Sequence, residues 1–205
     1  MTKSKSIKKH NNRKIIGTKK LETKKSPKKV EKTDLHKTLK ASHLAAVIYA
    51  CVIIPVLMFG GFATRSLALK IIDSVLLAGL TVLTVLILKS YYRLSKKTKF
   101  THTMSLIMII FTIIIGIFNI LKLYLFGPQI ILYIVTWVTA AILLLFGISL
   151  FKMKKLSFLF SATAIFYVLM AAFNASLVMM ILLPSLYVAT AVIEAFLFAR
   201  LMKKV

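Results

Sequence analysis

The sequence predicts an all-α membrane protein, a bundle of six transmembrane helices, and three observations support that fold class. Of the 205 residues, 59% are hydrophobic, whereas a soluble domain is apolar in roughly half of its residues. The apolar residues come in runs of about twenty, the length a helix needs to cross a hydrocarbon core roughly 30 Å thick. The basic residues cluster between alternate runs, the arrangement typical of multi-pass proteins.

Residues 1–33 form the first predicted region, a disordered and polybasic cytoplasmic tail. Residues 1–40 hold fifteen of the 29 basic residues and three of the five acidic ones. Because residues 1–33 contain few apolar side chains and no periodicity, they cannot bury enough surface to offset the entropy of ordering. Asp34 is a predicted helix N-cap, so we start the transmembrane domain, 34–205, at this residue.

The six predicted spans follow from the apolar runs and the polar breaks between them. Residues 156–199 are nearly continuous apolar sequence, too long for one crossing, and we turn the chain at the polar stretch 171–177. Pro184 then falls inside the sixth span, where a missing backbone donor should kink the helix. The predicted spans are about 43–62, 67–91, 102–125, 130–151, 156–174 and 177–200.

Six spans place every basic cluster on one side of the membrane. The opposite loops hold a single basic residue, Arg65. Since this asymmetry orients helices during insertion, we predict that both termini are cytoplasmic, and we expect the plasma membrane. Besides the tail, the clusters are Arg93, Lys96, Lys97 and Lys99, then Lys152, Lys154 and Lys155, then Arg200, Lys203 and Lys204.

Asp73 is an acidic residue inside the second span, with Lys70 three residues earlier on the same helix face. A charge in hydrocarbon costs roughly 2.5–3.5 kcal/mol and is normally paired or faces a polar cavity. The simpler interpretation is that Asp73 neutralises Lys70 near the outer headgroups. The alternative is an outward-facing ligand site that these two residues share with Asn119 and Lys122, at similar depth on the third span.

Glu194 is the second intramembrane acid, and it lies nearer the cytoplasmic side. Its predicted counterion is Lys89, at the inner end of the second span, which would form a structural pair between spans two and six. The alternative is that Glu194 is the proton- or cation-coupling carboxylate of a transporter.

Two rows of alanine recur at four-residue spacing, Ala46 and Ala50 on the first span and Ala191, Ala195 and Ala199 on the sixth. Small residues at this spacing allow helices to approach closely. We therefore predict packing faces, either inside the bundle or against a protein partner, and the oligomeric state stays open.

No catalytic or metal-binding pattern stands out in the sequence. There is no HExxH, no pair of aspartates at metal-ligand spacing and no phosphate-binding glycine loop. We therefore expect no enzyme activity, no metal and no cofactor.

Two function classes remain. The first is a non-enzymatic complex subunit or assembly factor whose tail binds anionic lipid, at about 1 kcal/mol per basic residue near the surface. The tail could equally bind RNA, a ribosome or an acidic partner; RNA contact would be non-specific, since no aromatic side chain offers base stacking. The second class is a small transporter or channel that uses Asp73 and Glu194 for ligand or proton coupling. The sequence favours the first.

Overall fold

The computed structural model describes residues 27–60, 66–124, 129–176 and 182–204, and every regular element in these ranges is helical. A 3₁₀ turn, Ser95–Lys97, joins the second α-helix to the third. The α-helices of the described ranges are α1 (Pro27–Gly60), α2 (Leu67–Leu94), α3 (Lys99–Lys122), α4 (Gln129–Phe151), α5 (Leu159–Ala175) and α6 (Leu183–Met202).

Four of these helices, α2, α3, α4 and α6, are long and apolar enough to cross a membrane, and α5 is apolar but shorter. The predicted all-α fold class is therefore confirmed, and the chain is an integral membrane protein. The predicted first span, 43–62, ends beyond the described part of α1.

Two helix ends differ from the prediction. The described part of the first helix already includes residues from Pro27 on, so Asp34 lies in its interior and is not an N-cap. Residues 27–33 of the predicted tail thus belong to α1, and residues 1–26 lie outside the described ranges. Pro184 occupies the first turn of α6, so the predicted kink is wrong, since the first turn needs no donor there.

The helices form a closed ring. Each packs against the next in chain order, and α6 packs back against α1. Ala46 and Ala195 are both buried in the common core, and His43 Nδ1 lies 2.9 Å from the carbonyl oxygen of Ala195. The alanine rows of the first and last helices therefore serve packing within the bundle.

Polar side chains join α1 to α2 near one end of the ring. The Ser90 hydroxyl donates to Ser42 Oγ over 2.8 Å, and Arg93 Nη1 donates to Thr38 Oγ1 over 2.6 Å. Buried hydroxyls need such partners in an apolar interior, so these contacts fix the register of α1 against α2.

The basic clusters at the α2–α3 junction, at the α4–α5 junction and at the end of α6 meet at this same end, which we call the basic end. Lys152 Nζ lies 4.3 Å from the centre of the Phe100 ring, and Lys204 Nζ donates to the carbonyl oxygen of Leu156 over 3.4 Å. Lys70 and Lys122 lie at the opposite end, in the first turn of α2 and the last turn of α3.

Candidate functional site

A cavity of about 300 Å³ occupies the middle of the ring, and all six helices contribute side chains to its lining. Most of the lining is aliphatic or aromatic. The polar groups among the lining side chains are the hydroxyls of tyrosine and threonine residues, the amide of Asn119 and the carboxyl group of Glu194.

One face of α2 runs the length of the cavity. Residues at alternating spacings of three and four share a helix face, and this face, which we call the cavity stripe, passes from one end of the bundle to the other. Its middle members line the cavity, and its end members are both buried. The stripe consists of Asp73, Leu77, Leu80, Thr84, Ile87 and Tyr91.

Glu194 is the charged side chain of this lining, and it is only 3% exposed. The hydroxyls of Tyr91 on α2 and Tyr167 on α5 both donate to its Oε1 atom, each over 2.9 Å. Within the described ranges Oε2 has no hydrogen-bond partner. Three helices thus converge on one carboxyl group, which is hydrogen bonded on one oxygen and borders the cavity.

Two further tyrosines, Tyr49 of α1 and Tyr187 of α6, also line the cavity. Tyr49 and Tyr167 are both close enough to Glu194 and to Tyr187 to interact with them electrostatically.

Aromatic rings close the cavity on the side of the basic end. The ring of Tyr91 packs edge-on against Phe146, Phe160 and Phe198, with centroid distances of 5.7, 6.1 and 5.5 Å. All four side chains are fully buried. On α2, α4 and α6 these residues follow the cavity-lining residues in the direction of the basic end. We call the four rings the aromatic plug.

The plug also positions the donors of Glu194. The Tyr91 ring is held by three phenylalanines, and the ring of Tyr167 packs edge-on against Phe146 with a centroid distance of 4.9 Å. Edge-to-face contacts fix the orientation of rings as well as burying them. The hydroxyls of Tyr91 and Tyr167 are therefore held in position to donate to the carboxyl group.

The structure brings together only part of the predicted outer site. Asp73 is 4% exposed, and its Oδ1 atom is buried without a hydrogen-bond partner. The preferred pairing with Lys70 is not formed among the described contacts, although the two residues are neighbours on α2: Asp73 faces the bundle interior, whereas Lys70 is only partly buried. Asn119 lines the cavity, whereas Lys70 and Lys122 do not, and Lys122 is exposed.

The predicted contact between Glu194 and Lys89 is likewise not formed among the described residues. Lys89 is exposed, and it lies two residues from Tyr91, about 200° around the helix. The donors to Glu194 are uncharged tyrosine hydroxyls, and sequence analysis missed them. The signal was present, since Tyr91 continues the spacing of the cavity stripe.

No protein-family model, curated protein sequence or solved structure matches the chain. Within the described ranges, no three His, Cys, Asp or Glu side chains are grouped as metal ligands would be. Fold and site together define an integral membrane helix bundle with a carboxyl group buried at the wall of a central cavity, an arrangement suited to binding.

Proposed function

We propose that the protein is a small transporter whose substrate site is the central cavity, with Glu194 as the binding carboxylate. The observation that carries the proposal is the placement of Glu194, at the cavity wall and with two dedicated hydroxyl donors. A charged group in the membrane interior is costly, and such groups commonly mark substrate or ion pathways.

The arrangement along the bundle axis supports this reading. The aromatic plug separates the cavity from the basic end, while the cavity stripe leads from the cavity to Asp73 at the other end. A transporter that exposes its site alternately to the two sides of the membrane needs a closed gate on one side in each state. The plug has the composition and position of such a gate.

In the proposed topology all six helices span the plasma membrane and both termini are cytoplasmic. Its support is the gathering of basic side chains at one end, which the positive-inside rule assigns to the cytoplasm. The plug is then the cytoplasmic gate, and Asp73 and Asn119 lie toward the outer side.

Cysteine labelling from each side of the membrane tests the proposal without a known substrate. In a Cys51→Ala background, Thr84→Cys and Thr190→Cys each place a thiol of nearly unchanged size in the cavity lining. A membrane-impermeant maleimide should label both variants in intact cells from outside. It should label them more slowly in inverted vesicles, because the plug must open first.

The matched control is Ser105→Cys, a buried position on α3 that does not line the cavity. It should stay unlabelled from both sides. Failure of the cavity thiols to react from either side, in protein that is folded and inserted, would contradict transport through this cavity.

A second candidate function, the complex subunit or assembly factor, is favoured by the charge of residues 1–40. Their fifteen basic residues suit anionic lipid, RNA, a ribosome or an acidic protein. This candidate predicts cavity thiols that react from neither side and a stoichiometric partner that co-purifies in mild detergent.

A further inference from the structure

We propose that the cavity binds a small lipophilic cation, with its ammonium group at Glu194 and its apolar body against the aliphatic lining. This inference rests on the proposed function, because it names the substrate class of the same site. Four features of the cavity contribute one step each. They are the sign of its charge, the incomplete environment of the Glu194 carboxyl group, the surrounding tyrosines and the size of the remaining space.

The first step is the sign of the charge. In the cavity lining that the structure describes, Glu194 is the charged residue, and no lysine, arginine or histidine is present. The acidic Asp73 extends the same α2 face at the far end from the plug. Charges of one sign along an apolar passage attract the opposite ion and repel like ions, so this passage suits cations.

The second step is the incomplete environment of the Glu194 carboxyl group. Tyr91 and Tyr167 supply hydrogen bonds to Oε1, but neither supplies a positive charge, and Oε2 has no partner within the described ranges. A buried carboxylate without a countercharge is costly, and a cation in contact with it offsets that cost. A bound ammonium group would provide that charge from the cavity side.

The third step is the surrounding tyrosines. Tyr49 and Tyr167 line the cavity near Glu194, and Tyr187 lines it two turns earlier on α6. The faces of aromatic rings attract cations, and rings grouped around a site are the usual means of recognising quaternary ammonium groups. A carboxylate with several tyrosines is therefore better matched to an organic ammonium group than to a neutral ligand.

The fourth step is the size and polarity of the remaining space. The cavity measures about 300 Å³, at the lower end of the range of roughly 300–1,000 Å³ for ligand pockets. Its walls are largely aliphatic, with residues such as Ile53, Leu80 and Met108. A bare metal cation prefers six or more oxygen ligands, and these walls supply an apolar surface instead.

Equilibrium binding of a matched pair of probes tests the inference on the purified full-length protein in lipid nanodiscs. Radiolabelled phenyltrimethylammonium carries a fixed positive charge. Unlabelled tert-butylbenzene has the same shape with carbon in place of the charged nitrogen. We expect saturable binding of the cation, displacement by unlabelled cation and no displacement by the neutral isostere.

Variants then locate the charge contact. Glu194→Gln should weaken cation binding by at least about tenfold, because it removes the charge from a desolvated pair. Asp34→Asn, the same acid-to-amide change at an exposed residue outside the cavity lining, is the matched control and should leave cation binding unchanged. If Glu194→Gln does not fold, the probe pair on the unmodified protein still decides the question.

Three results would overturn the inference: no saturable cation binding, equal displacement by tert-butylbenzene, or unchanged binding by a folded Glu194→Gln protein. Each of these three results can be distinguished from a failure of the proposed transport function. Cavity thiols that react from both sides, combined with no cation binding, would leave a transporter of another substrate class. Cavity thiols that react from neither side would contradict the proposed transport function itself.

Discussion

Glu194 is stabilised within an apolar helix by two tyrosine hydroxyls that donate to one of its oxygens. We expect Tyr91→Phe and Tyr167→Phe each to destabilise the protein by about 1.5–3 kcal/mol, the range for a hydrogen bond to a charged group. The destabilisation of the double variant should differ from the sum of the two single effects, since both hydroxyls donate to the same oxygen atom. Unfolding in a detergent titration measures all three.

The control for this series is Tyr124→Phe. Its hydroxyl lies 3.1 Å from Ser74 Oγ at an exposed site, so its loss should cost much less than either buried hydroxyl. Equal effects at all three tyrosines would show that Glu194 does not depend on these donors.

Sequence reasoning identified the two intramembrane acids but not their surroundings. Asp73 and Glu194 stand out because charge is rare in an apolar run. Tyrosine in such a run carries no comparable signal, because it packs like phenylalanine and usually marks an interface. Lys89 was therefore preferred as the partner of Glu194 on charge alone, although its helix face points away from Tyr91.

At the scale of elements, α2 and α3 approach each other closely where Gly116 meets Thr81. A Cβ atom added at Gly116 would clash with the Thr81 side chain and lie 3.0 Å from its Cβ. We expect Gly116→Val to destabilise the protein by about 1–3 kcal/mol, the usual cost of overpacking. Thermal unfolding in detergent is the measurement.

Two companion variants separate crowding from the loss of glycine itself. Gly79→Ala adds a Cβ where no atom lies within 4 Å, so it should not destabilise. Thr81→Ala should partly rescue Gly116→Val, because it removes the two side-chain atoms nearest the new Cβ. If Thr81→Ala does not rescue Gly116→Val, the destabilisation does not come from crowding against the Thr81 side chain.

Helix positions were more predictable than helix starts. The predicted spans and the observed helices overlap throughout, because run length and polar breaks follow directly from the thickness of the bilayer. The start of α6 differs because a proline can stand at the first turn or in the interior of a helix, and local sequence does not distinguish these positions.

For the whole molecule, charge is concentrated at one end and in the N-terminal residues. A peptide of residues 1–33 should bind vesicles rich in anionic lipid, at about 1 kcal/mol per basic residue near the surface. Binding should weaken as salt is raised, because the attraction is screened. Vesicle co-sedimentation measures it.

The same peptide with every lysine and arginine changed to glutamine is the control and should stay in solution. Equal binding of the unmodified peptide to zwitterionic vesicles would show that charge is not what holds it. Neither result depends on the bundle, which the structure describes from Pro27 onward.

The closure of the ring by α1 and α6 has a consequence for the making of the protein. His43 and Ala195, which meet across this closure, are 152 residues apart in the chain. A chain synthesised from its N-terminus must hold its first helix without its final neighbour until the last helix emerges. The Glu194 carboxyl group is also synthesised after both of its donors, 103 residues after Tyr91 and 27 after Tyr167. A truncated chain that ends before α6 therefore has both tyrosine hydroxyls but lacks the carboxyl group that accepts their hydrogen bonds. The faces of α1 and α5 that pack against α6 would be uncovered, and a membrane protease would have access to them.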